Sequence, residues 1–297
     1  LDFTMTANKG TPTAKRLDLL KGNETAFGGF ELDGAAVTMG ITARMDEDDI
    51  EQLTALMDTA KLKAFEEIEN DGDLDTDAKR EKAKEVVAGL LDTMAKTAES
   101  GKLDGGAVLM HKPESMSFVA GGAIAQPKTL EDSLRKLVDL AKDEPDFPTV
   151  KFDAEKHRGV TFHTLSVPIP EGDDARKVLG ATADGVLGIG ENSAYVSFGA
   201  DASEMLKMVI DGSKMNVPDV SPMHMTVALT PIFEFAASVE DNPVLELITT
   251  TLKESGGKDH ILVKATPMDN GINYRLTVEE GILKAIGQAV KFRGGGL

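Results

Sequence analysis

Residues 257–290 read GKDHILVKATPMDNGINYRLTVEEGILKAIGQAV, and two alternating runs meet there at Asn270-Gly271. Asn-Gly is the dipeptide that best suits a two-residue hairpin, because both turn residues need a positive φ. The second run places its apolar residues on one side of a strand, and these are Ile272, Tyr274, Leu276 and Val278. Apolar residues then recur at helical spacing, as at Ile282 and Ile286, so a helix follows the hairpin directly. A β-β-α unit cannot bury its apolar face alone, which predicts that the rest of the chain supplies further copies.

The same order of elements can be followed outward through the whole chain. Another hairpin is predicted around Asp33-Gly34, with strands at residues 26–32 and 35–43. Each half of the chain reads as strand, helix, hairpin, helix, middle segment, hairpin and helix, which predicts an internal duplication. The halves are aligned by four residue pairs: Phe3 with Phe162, Asp46 with Asp201, Gly101 with Gly257, and Leu134 with Ile282.

The predicted fold class is α+β, with two internally repeated lobes of antiparallel β-sheet made of β-hairpin–helix units, each with helices packed on one face. Pro145–Pro148 is the predicted linker, so the lobes are residues 1–147 and 148–297. The first lobe lacks its first strand, the counterpart of Thr149–Asp153. The apolar sheet face is expected to meet the helices, while the other face is solvated or concave and open to a ligand.

Composition narrows the classes of protein and of partner. The 297 residues carry a formal net charge of −18, which repels phosphate backbones and anionic membranes and argues against a nucleic-acid partner. The chain has no cysteine, which excludes disulfides, thiolate metal sites and cysteine nucleophiles. No apolar run approaches the roughly 18 residues that span a bilayer, so no transmembrane segment is predicted. The chain opens on Leu1 without a signal peptide, which indicates a removed leader or a piece of a longer protein.

An acidic loop at residues 71–77 is the most suggestive metal-binding motif. Aspartates at positions 1, 3, 5 and 7 resemble the start of a calcium loop, and they are Asp71, Asp73, Asp75 and Asp77. The pattern fails at position 6, where Thr76 replaces glycine, and at position 12, where Lys82 replaces glutamate. The alternative is a solvated acidic turn that caps the helix from Thr76.

The remaining motifs do not indicate catalysis. The histidines contain no HExxH motif, and a metal site would require three of their strands to be neighbours, so surface histidines are predicted. Gly188 and Gly190 lie in a hairpin and not before a helix, so they cannot cradle a dinucleotide phosphate. The sequence therefore predicts no cofactor and no enzymatic activity. The five histidines are His111, His157, His163, His224 and His260.

Three stretches carry a resemblance to a known family. They are DEPDFPTVKFDAEKHRGVTFHTLSVPIP from Asp143, MHMTVALTPIFEFAA from Met223, and GGKDHILVKATPMDNGINYRLTVEEGILKAIG from Gly256. The chain resembles, over nearly its whole length, a family of large exported bacterial proteins of unknown function, and the matching motifs are structural. The resemblance implies an exported location and a longer parent protein, of which this chain is similar to the C-terminal half.

The leading functional hypothesis is a non-catalytic exported protein that acts by binding, or as a structural component of an extracytoplasmic assembly with a protein partner. The alternative is a carrier of a lipid-like or other apolar ligand, held between the sheet and the helices. Long apolar helical stripes and thirteen methionines favour the carrier, because methionine lines adaptable pockets. A hydrolase that uses scattered carboxylates or histidines ranks last.

Overall fold

The computed structural model describes residues 1–144, 147–173, 175–213 and 217–294. Within these ranges the strands are β1 (Asp2–Thr6), β2 (Val37–Arg44), β3 (Lys102–Lys112), β4 (Ser115–Ala123), β5 (Thr149–His157), β6 (Val160–Pro168), β7 (Thr182–Ile189), β8 (Ser193–Gly199), β9 (Met223–Ala228), β10 (His260–Met268) and β11 (Gly271–Val278). The α-helices are α1 (Pro12–Asp18), α2 (Glu47–Asn70), α3 (Asp77–Glu99), α4 (Pro127–Ala141), α5 (Arg176–Leu179), α6 (Ala202–Gly212), α7 (Leu229–Val239), α8 (Pro243–Lys253) and α9 (Glu280–Gly294).

The strands form one antiparallel sheet in the order β1-β11-β10-β9-β2-β3-β4-β8-β7-β6-β5. Helices and an antiparallel sheet in these proportions confirm the α+β class. The two predicted lobes share this sheet, because β1 pairs with β11, β2 with β9 and β4 with β8. These later strands satisfy backbone groups that would otherwise leave β1, β2 and β4 with open edges.

The order of elements is the same on both sides of the central β2–β9 pair. On one side β2 is followed by α2, α3, β3, β4 and α4, and on the other β9 is followed by α7, α8, β10, β11 and α9. Gly101 and Gly257 precede the corresponding strands β3 and β10, and Leu134 and Ile282 lie in the corresponding helices α4 and α9.

The other two aligned pairs do not occupy corresponding places. Phe3 lies on β1, which neighbours β11 in the sheet. The strand in the corresponding place, next to β4, is β8, whereas Phe162 lies on β6. Asp46 caps α2, whose counterpart is α7, whereas Asp201 precedes α6. Alternating apolar residues fit any half-buried strand, so they do not distinguish β6 from β8. Duplication of the sequence stays a prediction.

The predicted strand at residues 26–32 is wrong, because a 3₁₀-helix (Gly28–Phe30) occupies this segment. Alternation would place Phe27 and Phe30 on opposite faces, but both are buried in one cluster. Gly29 also lies directly against α6, where an added Cβ would be 2.0 Å from the Val209 carbonyl oxygen. This close approach holds the segment against α6 instead of in the sheet.

One face of the sheet is apolar along rows of paired residues. Paired residues of neighbouring strands point to the same side. One row reads Val37, Leu109, Phe118 and Phe198, across β2, β3, β4 and β8. The adjacent row reads Met39, Ala107, Ala120, Val196, Leu187 and His163, and continues to β6. We call this side the apolar face.

The opposite face carries the largest buried cluster, so the expectation that helices pack on one face only and leave the other solvated or open is wrong. Helix α6 and the 3₁₀-helix pack there, and they bury side chains of β3, β4, β6, β7 and β8. Burial of each large apolar side chain contributes about 1.5–3 kcal/mol, so this side anchors the sheet. The fully buried members include Phe30, Val108, Val119, Phe162, Leu206 and Val209.

The helices on the apolar face form two groups. Helices α2, α3 and α4 pack side by side with α4 over β7, and α7, α8 and α9 pack side by side with α7 over β3. The sheet between them is incompletely covered, since Met39, Val196 and Phe198 are 39%, 47% and 36% exposed. No helix of the described residues is both long and apolar enough to cross a bilayer.

Candidate apolar binding site

A cavity of about 470 Å³ lies between α4 and the apolar face at strands β5 to β8, and we call it the α4 cavity. Helix α4 contributes side chains at helical spacing, and the strands contribute alternate residues. The helix supplies Leu134, Leu137 and Val138. The strands and the segment before β5 supply Phe147, Val150, Phe152, Leu165, Leu187, Val196 and Phe198.

The lining of the α4 cavity is almost entirely aliphatic and aromatic. Its polar side chains are His163, Thr164 and Ser197. No methionine lines it, so the thirteen methionines, which favoured a carrier in the sequence, do not contribute to this cavity. Cavities with apolar walls hold water poorly and bind apolar molecules, and ligand sites typically have volumes of about 300–1,000 Å³.

Arg135 organises the polar rim beside the cavity. Its Nη2 atom lies 2.6 Å from Glu131 Oε1 and 2.7 Å from Asp153 Oδ2, so one guanidinium joins α4 to β5. The guanidinium also lies 4.3 Å from the centre of the Phe152 ring. Its hydrogen bond lowers the pKa of the Asp153 carboxyl, and Asp153 and Glu131 raise the pKa of Arg135. A shift in pairing between Lys151 and Glu155 bends β5 at this point.

His163 completes this group, which we call the arginine cluster (Glu131, Arg135, Asp153 and His163). The His163 side chain is 3% exposed, and burial lowers its pKa. The prediction that the histidines lie at the surface is wrong for His163. Helices cover both faces of the sheet at this residue, and the alternation of residues in β6 does not show which face is solvated. Its Nδ1 accepts a hydrogen bond from the Asp153 backbone N–H at 3.1 Å, so the neutral ring carries its proton on Nε2. Nε2 is buried without a hydrogen-bond partner and lies 3.8 Å from Glu131 Oε1.

The arginine cluster is not arranged as a metal site. Glu131, Asp153 and His163 each offer a ligand atom within 4.8 Å of the others. However, the Arg135 guanidinium already bonds both carboxylates. A metal on Nε2 would also move the ring proton to Nδ1, which would then face the Asp153 N–H as a second donor. The cluster therefore fixes α4 to β5 beside the cavity.

The five histidines do not converge. His111 stacks on Phe235 with ring centres 4.6 Å apart, and burial lowers its pKa. His157 and His224 each pair with one carboxylate, Asp211 at 3.1 Å and Glu31 at 2.8 Å. His260 is 3.1 Å from Glu279 and 3.2 Å from Asp259, in a second group of three potential ligands. Sequence reasoning missed this group because its members come from two strand ends that only the β10–β11 hairpin brings together.

Of the four aspartates of the predicted calcium loop, Asp71, Asp73 and Asp75 lie in the exposed turn between α2 and α3, and Asp77 is the first residue of α3. Asp71 accepts a hydrogen bond from the Asp73 backbone N–H at 2.9 Å. Asp75 pairs with Lys79 at 3.0 Å and Asp77 with Arg80 at 3.1 Å, and Thr76 caps α3. The structure does not bring three of these carboxylates into one group of potential ligands. Calcium binding at this loop stays a prediction.

Comparisons with known proteins leave the chain without an assigned family. No family model matches the chain, and no curated protein matches it. A solved structure, described as crystal form I of TP0453, aligns at 12% sequence identity over 89% of this chain and 97% of that chain, with a TM-score of 0.29. At this TM-score the likeness supports no conclusion about fold or function.

Proposed function

We propose that this protein binds an apolar, lipid-like molecule in the α4 cavity. The single observation that carries the proposal is the lining, in which aliphatic and aromatic side chains from one helix and four strands surround an open space of about 470 Å³. Part of this lining is exposed to water, as at Leu137, Val196 and Phe198, and a bound apolar molecule would cover it. The proposal selects the carrier alternative over a purely structural role.

The energetics favour a flexible hydrocarbon over a polar ligand. Each buried methylene contributes about 0.8 kcal/mol, which corresponds to about a fourfold gain in affinity for each added carbon. A polar head group gains little from Glu131, Arg135 and Asp153, because these three already bond to one another, and the donor that the lining leaves without a partner is Nε2 of His163. Affinity should therefore follow chain length until the cavity is filled.

The proposed binding is non-catalytic. Most polar groups nearest the cavity bond to one another: Arg135 bridges two carboxylates, and the Nδ1 atom of His163 accepts a backbone N–H, while its Nε2 is without a hydrogen-bond partner and lies 3.8 Å from Glu131. Catalysis would need an acid, base or nucleophile poised toward the bound molecule. The exported location that belongs to this proposal rests on the family resemblance alone.

Titration with saturated fatty acids and n-alkanols of about eight to about sixteen carbons tests the proposal by isothermal calorimetry. We expect the dissociation constant to fall about fourfold for each added methylene and then to level off. In the Val196→Trp variant the larger side chain fills the cavity, so affinity for the longest bound ligand should fall at least about tenfold.

Val278→Trp is the matched control, because Val278 is also a partly exposed valine on a strand but does not line the α4 cavity. Its affinity should equal that of the unmodified protein. Affinity that is independent of chain length, or equal loss in both variants, would overturn the proposal.

A second candidate function, a structural component of an assembly, is favoured by an exposed apolar stripe on α9. Leu283, Ile286 and Val290 recur at helical spacing and are all exposed. Sedimentation of the protein and of a Leu283→Ser, Ile286→Ser double variant tests this role. Self-association that the variant loses would support it, and identical monomeric behaviour of both proteins would count against self-assembly through α9.

A further inference from the structure

Asp259, His260 and Glu279 meet at the open end of the β10–β11 hairpin, and we call them the histidine cluster. Asp259 directly precedes β10, His260 is the first residue of β10, and Glu279 lies between β11 and α9. The Glu279 backbone N–H donates to the His260 carbonyl oxygen at 3.0 Å, which continues the ladder of the hairpin. Residues 19 apart in sequence are thereby held side by side.

The distances within the histidine cluster are those of a compact coordination shell. His260 Nδ1 lies 3.2 Å from Asp259 Oδ1, 3.1 Å from Glu279 Oε2 and 3.1 Å from the Gly257 carbonyl oxygen. A tetrahedral ion with bonds of about 2.0–2.1 Å separates neighbouring ligand atoms by about 3.3 Å. The ligand atoms of the three side chains all lie within 4.8 Å of one another.

Backbone groups orient both carboxylates. The Thr230 N–H near the start of α7 donates to Asp259 Oδ2 at 2.8 Å, which leaves Oδ1 toward the imidazole. The His260 N–H donates to Glu279 Oε2 at 2.9 Å. At Asp259 this contact is to the oxygen behind the ligand atom, and at Glu279 it is to Oε2 itself. Contacts of this kind hold metal-binding carboxylates in place before an ion arrives.

In the histidine cluster two carboxylates face one imidazole, and the nearest lysine is paired elsewhere. The Asp259 side chain is only 5% exposed, and its ion pair in the described chain is with His260. The nearby Lys258 pairs instead with Glu280 at 3.0 Å. Two carboxylates and one carbonyl oxygen therefore surround a single N–H of one imidazole. The Asp259 carboxylate is the buried one, and a buried carboxylate is costly without a cation, whereas the side chains of His260 and Glu279 are 33% and 30% exposed.

From this geometry we propose that Asp259, His260 and Glu279 bind a divalent ion of the zinc class, with the Gly257 carbonyl oxygen as a fourth ligand. One nitrogen and three oxygens suit zinc, whereas calcium requires six to eight oxygens and magnesium an octahedral shell. On binding, the proton on Nδ1 moves to Nε2 if the ring is neutral and leaves to solvent if the ring is an imidazolium. The site is independent of the α4 cavity.

Zinc titration of the metal-stripped, untagged chain by calorimetry, with cobalt absorption spectroscopy in parallel, tests the proposal. We expect one equivalent of zinc and the intense visible absorption of tetrahedral cobalt. His260→Asn and Glu279→Gln should each weaken zinc binding at least about tenfold. His224→Asn is the matched control, because His224 pairs with a single carboxylate, Glu31, and it should bind zinc as the unmodified protein does.

Absent zinc binding, or equal losses in His260→Asn and His224→Asn, would overturn the proposal. Nitrogen-15 spectroscopy of the unmodified protein gives the answer even if a variant does not fold. Zinc should move the Nδ1 resonance of His260 and leave that of His224 in place. A zinc-induced shift at other histidines alone would also overturn the proposal.

Discussion

The arginine cluster and the histidine cluster contain the same three potential ligands, namely an aspartate, a glutamate and a histidine, but they balance charge in opposite ways. In the arginine cluster Arg135 bonds both carboxylates, and the buried imidazole serves as an acceptor for a backbone N–H. In the histidine cluster the imidazole itself faces both carboxylates. Residue types alone therefore do not identify a metal site; the tautomer of the histidine and the presence of an internal cation do.

Zinc binding should give the largest difference in stability between variants of the two clusters. At a free zinc concentration about 100 times the dissociation constant, binding to the folded state adds about 2.7 kcal/mol to the free energy of unfolding. For a chain of 297 residues this corresponds to a rise in Tm of roughly 4 °C, measured by calorimetry. His163→Asn should keep the rise and His260→Asn should lose it. The reverse result would show that the arginine cluster is the metal site.

Acid titration should distinguish the buried imidazole by the next largest effect. Burial lowers the pKa of His163 below its ordinary 6.5, so the unfolded chain takes up the proton first. Stability present above about pH 6.5 is lost as the pH falls from there toward the folded pKa, with a slope of up to about 1.4 kcal/mol per pH unit. In His163→Phe the slope of the free energy of unfolding, measured in urea between these pH values, should become smaller.

His111→Phe should reduce the acid slope in the same direction, because burial also lowers the pKa of His111. The two reductions should add, since the residues lie in different parts of the sheet. An unchanged slope in His163→Phe would show that the ring is protonated in the folded protein, which would remove the contrast between the clusters.

Removing the internal cation should have a smaller effect on stability. Arg135 is about one-third exposed, so solvent screening limits the loss in Arg135→Met to about 1 kcal/mol of unfolding free energy, including the contact with Phe152. Arg275→Met is the control, because Arg275 makes an exposed pair with Asp2 and should cost less. Denaturant unfolding measures both. A new zinc equivalent in Arg135→Met would show that the guanidinium alone kept metal out, against the argument from the His163 tautomer.

The acidic turn between α2 and α3 should give the smallest effect. Asp75→Asn removes one exposed carboxylate that pairs with Lys79, and exposed pairs contribute little. We expect no measurable change in Tm. Calcium titration of the unmodified chain completes the comparison, and binding that Asp75→Asn abolishes would show that carboxylates separated in this structure converge on an added ion.

Local signals in the sequence predicted much of the secondary structure. The predicted hairpin joins β10 to β11, but its two loop residues are Asp269 and Asn270, because Gly271 is already paired with Met268 as the first residue of β11. Asn270 has the expected positive φ, 51°, and Gly271 does not. Proline also occupies the first helical position of α1, after Thr11, and of α8, after Asn242, where its fixed φ favours the start of a helix. These signals succeed because each depends on the backbone preference of one or two residues.

Features that depend on tertiary contacts were not predictable in the same way. The segment at 26–32 alternates like a strand, but the approach of Gly29 to α6 overrides the pattern. The α4 cavity depends on the bend of β5 and on the position of α4 over the sheet. Neither can be predicted from the residues of a single helix or strand. The helical spacing of Leu134, Leu137 and Val138 places them on one side of α4, but it does not determine the volume between that side and the sheet.

The strand order also has a consequence for the time course of folding. Because β1 pairs with β11, β2 with β9 and β4 with β8, a fragment that stops after α4 pairs β3 on both sides but leaves β2 and β4 each without one neighbour and β1 without its partner. Phe3 and Tyr274 pair although more than 260 residues separate them. The entropy of closing such a long loop is lost before the stabilising contacts of the pair form. Chains dominated by such distant pairings fold slowly. During synthesis β1 therefore cannot pair until the β10–β11 hairpin has emerged from the ribosome.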